Sequence, residues 1–589
     1  MRKSCLFLSF LILAVFSATN SMAITYELSG DSRLYLTGKI EQYMRYGFNN
    51  CGDTLPGGAK ASGAYRGLSE AFYSVLLEQH YKPNEIFEFR SGFRLEGDWA
   101  YNINDSDSDW KKDIAHSEGL MKRDSHNAQR DVLREFNIGI NTRYVNARIG
   151  KQTVVWGETD LYRLMDMFNP LDYGRFYVIR DADYGYEETR IPLWALRVGI
   201  TPELSIGPLS DIQFEFAMTP EVRQAKMNVG PREGGVWAFP IPSNMPDLGG
   251  AAAVLMGVPI GALGPVNIKN LDVRPGDDHG MRAQTLENAT YDFRVKTSWG
   301  NANITLNAFY AWDELPIFQK AADMKNTVLI PAGAMGNPGA LPSLGYLSLE
   351  NGGNVDDGFG YGLTLQRKLY RKQGLGFTLA KEMDFTQSLV KAIGQPANPT
   401  LRIEAIYQFR KHISTDWVEN LKRGAARINA GDMGGVPVLL KGLADGVDGY
   451  EKKDVLHYTL GMDWPLRIAF LNPRKQFFTS YQIVHQHIFG DVGDRFYVAP
   501  YSERIPRDKL EGTFLVYTEY FNEKIKPQYV FSWDLNNTNN HMHKFSCRFW
   551  LGDHWRPEIG FWLVTGNTDQ SHAKFVDGDC AWARLTYQF

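Results

Sequence analysis

The chain has 589 residues, a formal net charge of −4 and a mean hydropathy of −0.32. The small negative charge excludes the strongly basic surface of a nucleic-acid-binding protein, and the polar mean hydropathy excludes a bundle of membrane-spanning helices. Aromatic residues nevertheless make up 13% of the chain, and this combination favours a β-barrel with a polar lumen and an aromatic-rimmed outer wall.

The first 23 residues have the pattern of a secretory signal peptide. Two basic residues precede an apolar run from Leu6 to Phe16, and Ala23 closes the small-residue pattern of a cleavage site. The apolar run is too short to cross a bilayer as a helix. We therefore expect residues 1–23 to be removed on export and residues 24–589 to fold as a single domain.

Several segments of the chain alternate with a period of two. Between Phe87 and Tyr101, aromatic and aliphatic side chains occupy every second position and charged side chains lie between them. In a strand these are opposite faces, and a transmembrane barrel needs one face for lipid and the other for water. A β-sandwich also alternates, but its core face seldom ends in aromatic residues at both rims. Repeated along the chain, the pattern predicts an all-β, transmembrane antiparallel β-barrel of about eighteen strands, with sixteen as the alternative.

A charged segment, residues 158–190, follows the strand-like residues 144–156 and interrupts the alternation. Leu164, Met165 and Phe168 have helical spacing, and Pro170 would end such a helix. Folded into the lumen, the segment would form a constriction that selects solutes by charge, and a solvated extracellular loop is the alternative. The candidate constriction residues are Glu158, Asp160, Arg163, Asp166, Asp172, Arg175, Arg180, Asp181 and Asp183.

The same region carries a recognisable motif. Residues 150–158 read Gly-Lys-Gln-Thr-Val-Val-Trp-Gly-Glu, and residues 169–172 read Asn-Pro-Leu-Asp. This pattern resembles the proteobacterial outer-membrane barrels catalogued as domain of unknown function 1302, and the resemblance implies a barrel over the whole mature chain. Members of that family often accompany an outer-membrane lipoprotein and an inner-membrane transporter of the resistance-nodulation-division type. The resemblance therefore implies these partners, outer-membrane lipid as surroundings, and transport of an apolar compound or lipid.

Long extracellular loops are expected at residues 220–289, 313–357 and 412–454. The first two contain apolar side chains, namely Trp237, Phe239, Leu255, Met256, Leu329 and Ile330. Exposed loops rarely carry such patches without a reason. These side chains either line an apolar site at the outer mouth, in which case the cargo is hydrophobic, or pack together as a small cap. Residues 373–396 fit a strand poorly, and an amphipathic helix is an alternative there.

The C-terminal segment, residues 580–589, alternates again and ends on Phe589. A last strand with a terminal aromatic residue resembles the signal by which outer-membrane proteins are recognised for insertion. Short turns alternate with longer polar loops between the last strands, and short turns belong on the periplasmic side. We therefore expect the protein in the outer membrane of a Gram-negative bacterium.

Three cysteines follow Ala23 in the sequence. Cys51 lies just past the first strand and Cys580 begins the last one, and a closed barrel places these two strands side by side. Because the compartment is oxidising, we predict a Cys51–Cys580 disulfide. Cys547 has the parity of the lipid-facing residues of its strand and is expected to be a free thiol.

No catalytic motif is recognisable in the sequence. There is no Gly-x-Ser-x-Gly elbow, no phosphate-binding loop and no His-Glu-x-x-His. The pairs His485–His487 and His541–His543 could chelate a metal, but a polar-aromatic girdle is the expectation. We predict no enzymatic activity, no cofactor and no metal. The predicted function is a channel for export or uptake of a hydrophobic compound or lipid, with a general diffusion porin and an outer-membrane lipase as alternatives.

Overall fold

The computed structural model describes residues 24–27, 32–49, 65–100, 132–157, 164–173, 189–225, 267–274, 285–320, 360–392, 394–395, 397–415, 417–491, 505–566 and 575–589. Several sequence predictions lie outside the described residues. These are the signal peptide, Cys51, and the apolar loop residues Trp237, Phe239, Leu255, Met256, Leu329 and Ile330.

Strands dominate the described residues. In chain order they are β1 (Ile24–Glu27), β2 (Arg33–Gly47), β3 (Gly67–Lys82), β4 (Phe87–Asp98), β5 (Leu133–Asn141), β6 (Val145–Gln152), β7 (Leu193–Ile206), β8 (Leu209–Thr219), β9 (Asn267–Arg274), β10 (Thr290–Trp299), β11 (Ala302–Trp312), β12 (Ile317–Lys320), β13 (Gly360–Lys368), β14 (Arg371–Glu382), β15 (Thr400–Ser414), β16 (Tyr450–Leu466), β17 (Phe477–Ile488), β18 (Asp508–Tyr517), β19 (Ile525–Asp534), β20 (His541–Phe549), β21 (Trp555–Thr565) and β22 (Cys580–Gln588). The helices are a 3₁₀ turn (Asp384–Thr386), α1 (Gln387–Ala392), α2 (Trp417–Asn429) and α3 (Gly435–Asp448).

Eighteen of these strands close into one antiparallel ring: β2–β8, β10, β11 and β14–β22. Each strand pairs with the next in this order, and β22 pairs back to β2 from Lys39↔Gln588 to Gly47↔Cys580. Closure gives every strand two neighbours, so that backbone N–H and C=O groups are satisfied within the sheet, as hydrocarbon requires. The predicted antiparallel barrel of eighteen strands is confirmed, and the sixteen-strand alternative is wrong.

The N-terminal strand β1 continues the seam where the last strand ends. Gly38 and Phe589 exchange two backbone hydrogen bonds, with N–O distances of 2.8 and 3.0 Å. Beyond that point, β1 pairs with residues 33–36 on the same edge of β2. A glycine is needed at position 38 because a Cβ there would lie 2.5 Å from the ring of Phe589.

The two faces of the ring differ as the alternation predicts. On β10, Asp292 and Arg294 are buried on the inner face, whereas Phe293 between them points outward and is 43% exposed. On the neighbouring β11, Asn307 is buried and Leu306 is 58% exposed. The outer wall is therefore apolar and the inner wall carries the polar and charged side chains, as a transmembrane barrel requires.

The two ends of the barrel carry connections of different length. One end, the short-turn end, has the connections 83–86, 142–144, 207–208, 300–301, 383–399, 467–476, 518–524 and 550–554. The opposite end is the long-loop end. Gly207 and Gly300 start the two-residue turns with φ of 59° each, a left-handed conformation that matches the twist of a tight hairpin.

The long-loop end also carries a small second sheet and a helical hairpin. β12 pairs antiparallel with β13, and β13 pairs parallel with β9. α2 and α3 approach closely at Gly424, where a Cβ would lie 2.5 Å from the backbone nitrogen of Leu439. The indole of Trp417 is fully buried and donates to the carbonyl of Phe318 on β12 at 3.3 Å. The long loops of the sequence prediction thus contain ordered secondary structure.

Residues 373–396 contain both of the structures that their sequence left open. β14 continues to Glu382, and α1 follows within the connection to β15. Among the described residues, no helix has the length and apolar character needed to cross a membrane.

Candidate functional site

Residues 164–173, which we call the inner segment, lie inside the barrel. Leu164 and Met165 pack against Phe309 and Ile406, which face inward from β11 and β15. The wall makes room for this contact at Gly376 of β14, where a Cβ would lie 2.4 Å from the Met165 methyl carbon. The inner segment therefore occupies part of the lumen cross-section.

A buried carboxylate anchors the inner segment to the strand that precedes it. Asp166 Oδ1 accepts hydrogen bonds from the backbone nitrogens of Trp156 at 2.7 Å and Gly157 at 2.8 Å. Its other oxygen forms an ion pair with Arg190, and the side chains of Asp166 and Arg190 are 4% and 7% exposed. Asp166 thus ties together the chain just after β6 and the chain just before β7.

Asn169 makes a second anchor of the same kind. Its Oδ1 accepts from the backbone nitrogen of Val154 at 2.7 Å, and its Nδ2 donates to the carbonyl of Ile191 at 2.9 Å. The backbone of Pro170 accepts from the Ile191 nitrogen at 2.8 Å. Asp166 and Asn169 each bind both the chain that follows β6 and the chain that precedes β7, so two side chains hold the inner segment in place.

The wall beside the inner segment carries paired charges. Arg294 Nε donates to Glu215 Oε2 at 2.8 Å, and Arg197 lies 3.3 Å from the other oxygen of Glu215. The Arg294 guanidinium also stacks over the indole of Trp156, with 4.7 Å from its carbon to the ring centroid. One carboxylate is therefore shared by two arginines, and one of these supports the anchoring residue Trp156.

A second charge cluster spans the seam from β20 to β2. Glu558 accepts from Arg548 at 3.1 Å and forms an ion pair with Arg584. Arg584 also lies 3.9 Å from Glu41. The four side chains alternate in sign across four neighbouring strands, so each charge faces an opposite one.

An aromatic cluster covers the inner wall around the seam. Tyr43, Phe72, Trp562 and Trp582 are buried together there, with Phe575 from the connection between β21 and β22. In the ring order, β2 and β22 lie half-way round from β11 and β14, where the inner segment packs. Two buried apolar clusters therefore lie on opposite sides of the ring.

Inner-facing polar side chains are inaccessible to solvent on strands all round the ring. Examples with 8% exposure or less are Arg94, Glu96, Glu215, Asp292, Glu404, Gln482, Thr513, Ser532 and Arg584. Side chains that line a wide water channel would stay in contact with solvent. These buried side chains therefore do not line a wide water channel.

The structure describes two of the predicted constriction residues, Asp166 and Asp172, and both are buried in the inner segment. The remaining ones, Glu158, Asp160, Arg163, Arg175, Arg180, Asp181 and Asp183, lie outside the described residues. The helix predicted from the spacing of Leu164, Met165 and Phe168 does not form within residues 164–173, where the side chains of Asp166 and Asn169 bind the flanking backbone. Sequence reasoning missed the anchoring role of Asn169, although the motif contains it.

The structure shows no disulfide at Cys580, and Cys51, the other half of the predicted bridge, lies outside the described residues. Cys580 is a free, buried thiol in the aromatic cluster and accepts a hydrogen bond from Arg45. Arg45 also donates to Ser69 Oγ at 2.7 Å and to the carbonyl of Gly578 at 2.8 Å. The side chain points into the barrel, where it is already engaged. Cys547 is a free thiol on the outward parity of β20, as predicted.

The two histidine pairs face outward near the long-loop end. His485 and His487 both contact Asp508 Oδ1, at 3.1 and 2.6 Å. His541 and His543 contact each other at 3.0 Å between ring nitrogens. Within the described ranges, no group of three or more His, Cys, Asp or Glu side chains is arranged to hold a metal ion.

A family model described as "Protein of unknown function (DUF1302)" matches residues 74–220 of this chain. The match runs from within β3 to the end of β8 and contains the motif of residues 150–172 together with the inner segment. It confirms the predicted resemblance over this part of the chain. None of the curated proteins compared matches this sequence.

Solved outer-membrane proteins match the chain at low identity. Salmonella typhi OmpF, in a complex with daunomycin, is 8% identical with a TM-score of 0.36, and the alignment covers 96% of this chain and 100% of that one. The outer membrane channel DcaP of Acinetobacter baumannii is 7% identical with a TM-score of 0.35, covering 96% and 99%. OccAB2 of the same organism is 8% identical with a TM-score of 0.35, covering 95% and 97%. Scores this low carry no argument about cargo.

The location of the protein follows from its own architecture. A closed antiparallel ring leaves no sheet edge, and its outward-facing side chains are apolar. Hydrocarbon tolerates a sheet only in this closed form. The protein is an outer-membrane β-barrel.

Proposed function

We propose that this protein is a narrow, selective outer-membrane channel and that its cargo is a hydrophobic compound or lipid. The inner segment carries the proposal. It is held inside the barrel by Asp166 and Asn169, and it places Leu164 and Met165 within the lumen. A segment held in this way narrows the path, and the side chains of Leu164 and Met165 are buried against the wall.

The state of the wall charges supports an uncharged cargo. Glu215 is shared by two arginines, and Glu558 is shared by two others. Paired charges of opposite sign cancel much of each other's field at a distance. A passing ion therefore meets little attraction from the wall, which favours an uncharged cargo.

A general diffusion porin is the main alternative, and the burial of the inner wall argues against it. Such a porin conducts ions through a wide aqueous lumen. The lipoprotein and inner-membrane transporter implied by the family resemblance remain predictions, as does the absence of enzymatic activity.

Planar-bilayer recording of the purified barrel tests the proposal. We expect a single-channel conductance several-fold below that of a general porin recorded in parallel. An uncharged long-chain alcohol is expected to block the residual current reversibly, and glucose at the same concentration is not. A large, stable, ohmic conductance that neither solute affects would contradict both the narrow path and the apolar cargo.

A further inference from the structure

Two neighbouring turns at the short-turn end hold apolar side chains clear of the barrel. Phe470 and Leu471, on the turn 467–476, are 87% and 51% exposed, and Phe521, on the turn 518–524, is 73% exposed. Outward-facing aromatic residues on the strands are better shielded by their neighbours, for example Phe545 at 46%. We call these two turns the turn platform.

The turn platform is braced as one unit. Asn472 is buried within it, and its Nδ2 donates to Thr518 Oγ1 at 3.0 Å and to the carbonyl of Glu519 at 2.9 Å. Lys475 forms an ion pair with Glu523 across the same gap. The exposed rings are therefore displayed by a fixed support rather than by two independent loops.

Backbone strain sets the position of one of the rings. Phe521, Asn522 and Glu523 are three consecutive non-glycine residues with φ of 53°, 57° and 69°. A left-handed conformation is unfavourable for most residues that carry a Cβ. Strain of this kind persists only where the surroundings over-determine it, and it gathers at sites with a function. Here it places Phe521 at the tip of the turn.

The rim of the turn platform is basic. Its cations outnumber its carboxylates: Arg467, Arg474, Lys475 and Lys524 against Glu519 and Glu523. The platform is also continuous with the lipid-facing wall, since Trp464 lies on the outward face of β16 just before the turn begins. Apolar tips, a cationic rim and continuity with the hydrocarbon-facing surface occur together at this place.

We propose that the turn platform docks onto the anionic phospholipid surface of the periplasmic leaflet. Phe470 and Phe521 enter the boundary between headgroups and acyl chains, and the rim cations lie at the level of the phosphates. Aromatic and basic side chains at membrane interfaces act together in this way. The short turns are the periplasmic ones in outer-membrane barrels, so the platform faces that leaflet. A periplasmic protein is the competing occupant.

Spin labels report the depth of the two rings in the full-length barrel. The label is attached at Phe470→Cys or Phe521→Cys, in a chain that carries Cys51→Ala and Cys547→Ala, and the protein is placed in nanodiscs of phosphatidylethanolamine and phosphatidylglycerol. Power-saturation electron paramagnetic resonance then compares oxygen, which concentrates in hydrocarbon, with a water-soluble nickel chelate. We expect oxygen to relax both labels more strongly than nickel does.

A label at Glu85→Cys, on the exposed turn between β3 and β4, is the aqueous control, and nickel should dominate there. Replacing phosphatidylglycerol by phosphatidylcholine, or combining Arg474→Gln with Lys524→Gln, should raise nickel access at positions 470 and 521 severalfold. Nickel access at both positions equal to that at Glu85 in the anionic discs would overturn the proposal and favour a periplasmic protein. If nickel access at positions 470 and 521 changes neither with the lipid charge nor with the loss of Arg474 and Lys524, the docking onto anionic lipid is overturned. The channel proposal is unaffected by either result.

Discussion

Replacing Asp166 by Asn tests whether the inner segment sets the width of the channel. The carboxylate accepts two backbone hydrogen bonds and pairs with Arg190, and both side chains are almost completely buried. Asn has the same shape, so the substitution removes the charge without opening a cavity. It leaves the buried Arg190 guanidinium without its anionic partner.

The size of the effect follows from that stranded charge. Removing one partner of a buried ion pair costs about 3–5 kcal/mol. Even the lower figure of about 3 kcal/mol changes the ratio of anchored to released inner segment by roughly 100-fold. Asn169 still holds the other anchor, so we expect the segment to detach partly and reversibly rather than the barrel to unfold.

Single-channel recording measures this directly. We expect Asp166→Asn to add longer and larger open events than the unaltered protein shows. Glu203→Gln is the matched control, because Arg143 also binds Glu203 of β7 through two hydrogen bonds, at 2.9 and 3.0 Å, but both side chains are exposed. An exposed pair is worth about 0–1 kcal/mol, so this control should conduct like the unaltered protein.

The reasoning fails if Asp166→Asn conducts like the unaltered protein while its gel mobility still shifts on boiling, as a folded barrel should. That result would mean that the inner segment does not lie in the conducting path. An equal rise in conductance in Glu203→Gln would also refute it, because the effect would then reflect general loosening of the barrel.

Three further predictions concern the wall. Gly150→Ala places a Cβ on a residue whose φ is 127°, within 2.2 Å of a backbone oxygen on β5. The free energy of unfolding in lipid vesicles should therefore fall by about 1–3 kcal/mol. An unchanged urea midpoint would contradict this. Glu558→Gln leaves two buried arginines without their shared carboxylate, and the free energy of unfolding should fall by about 3 kcal/mol or more in the same assay. A gain in stability would show that burying these charges costs more than their mutual attraction returns. Without reductant, a maleimide should alkylate Cys580 only after the barrel is unfolded, whereas a membrane-soluble maleimide should react with Cys547 in the folded barrel. Mass spectrometry that finds Cys580 in a disulfide would support the bridge predicted from the sequence.

The barrel could be predicted because each of its strands needs an apolar side for lipid and a polar side for the interior, and these sides alternate at every second residue. In β4, Phe89, Phe93 and Leu95 point outward and are exposed, while Arg94 and Glu96, at alternate positions, are buried on the inner face. Lipid outside and a polar interior impose this alternation on each strand separately. A strand therefore needs no knowledge of distant parts of the chain to be recognised, and the count of eighteen followed.

The contacts of the site depend on distant parts of the chain, and the sequence could not supply them. Asp166 and Arg190 lie in a segment crowded with charges, where no period indicates which side chains meet. The disulfide prediction failed for a related reason. The adjacency of the first and last strands suggested a bridge at the seam, but the direction of a side chain decides its partner, and Cys580 points inward to Arg45.

The paired charges along the wall show that the inner segment accounts for only part of the low conductance that we expect. A charge that keeps its water needs no protein partner, whereas a buried one does. Arg94 and Glu96, with side chains 2% and 1% exposed, lie 3.1 Å apart on β4. Arg548 and Glu558, with side chains 10% and 3% exposed, pair between β20 and β21. Because such pairs occur far from the inner segment, side chains are packed against one another on several walls. Releasing the segment should therefore raise conductance only part of the way towards that of a general porin.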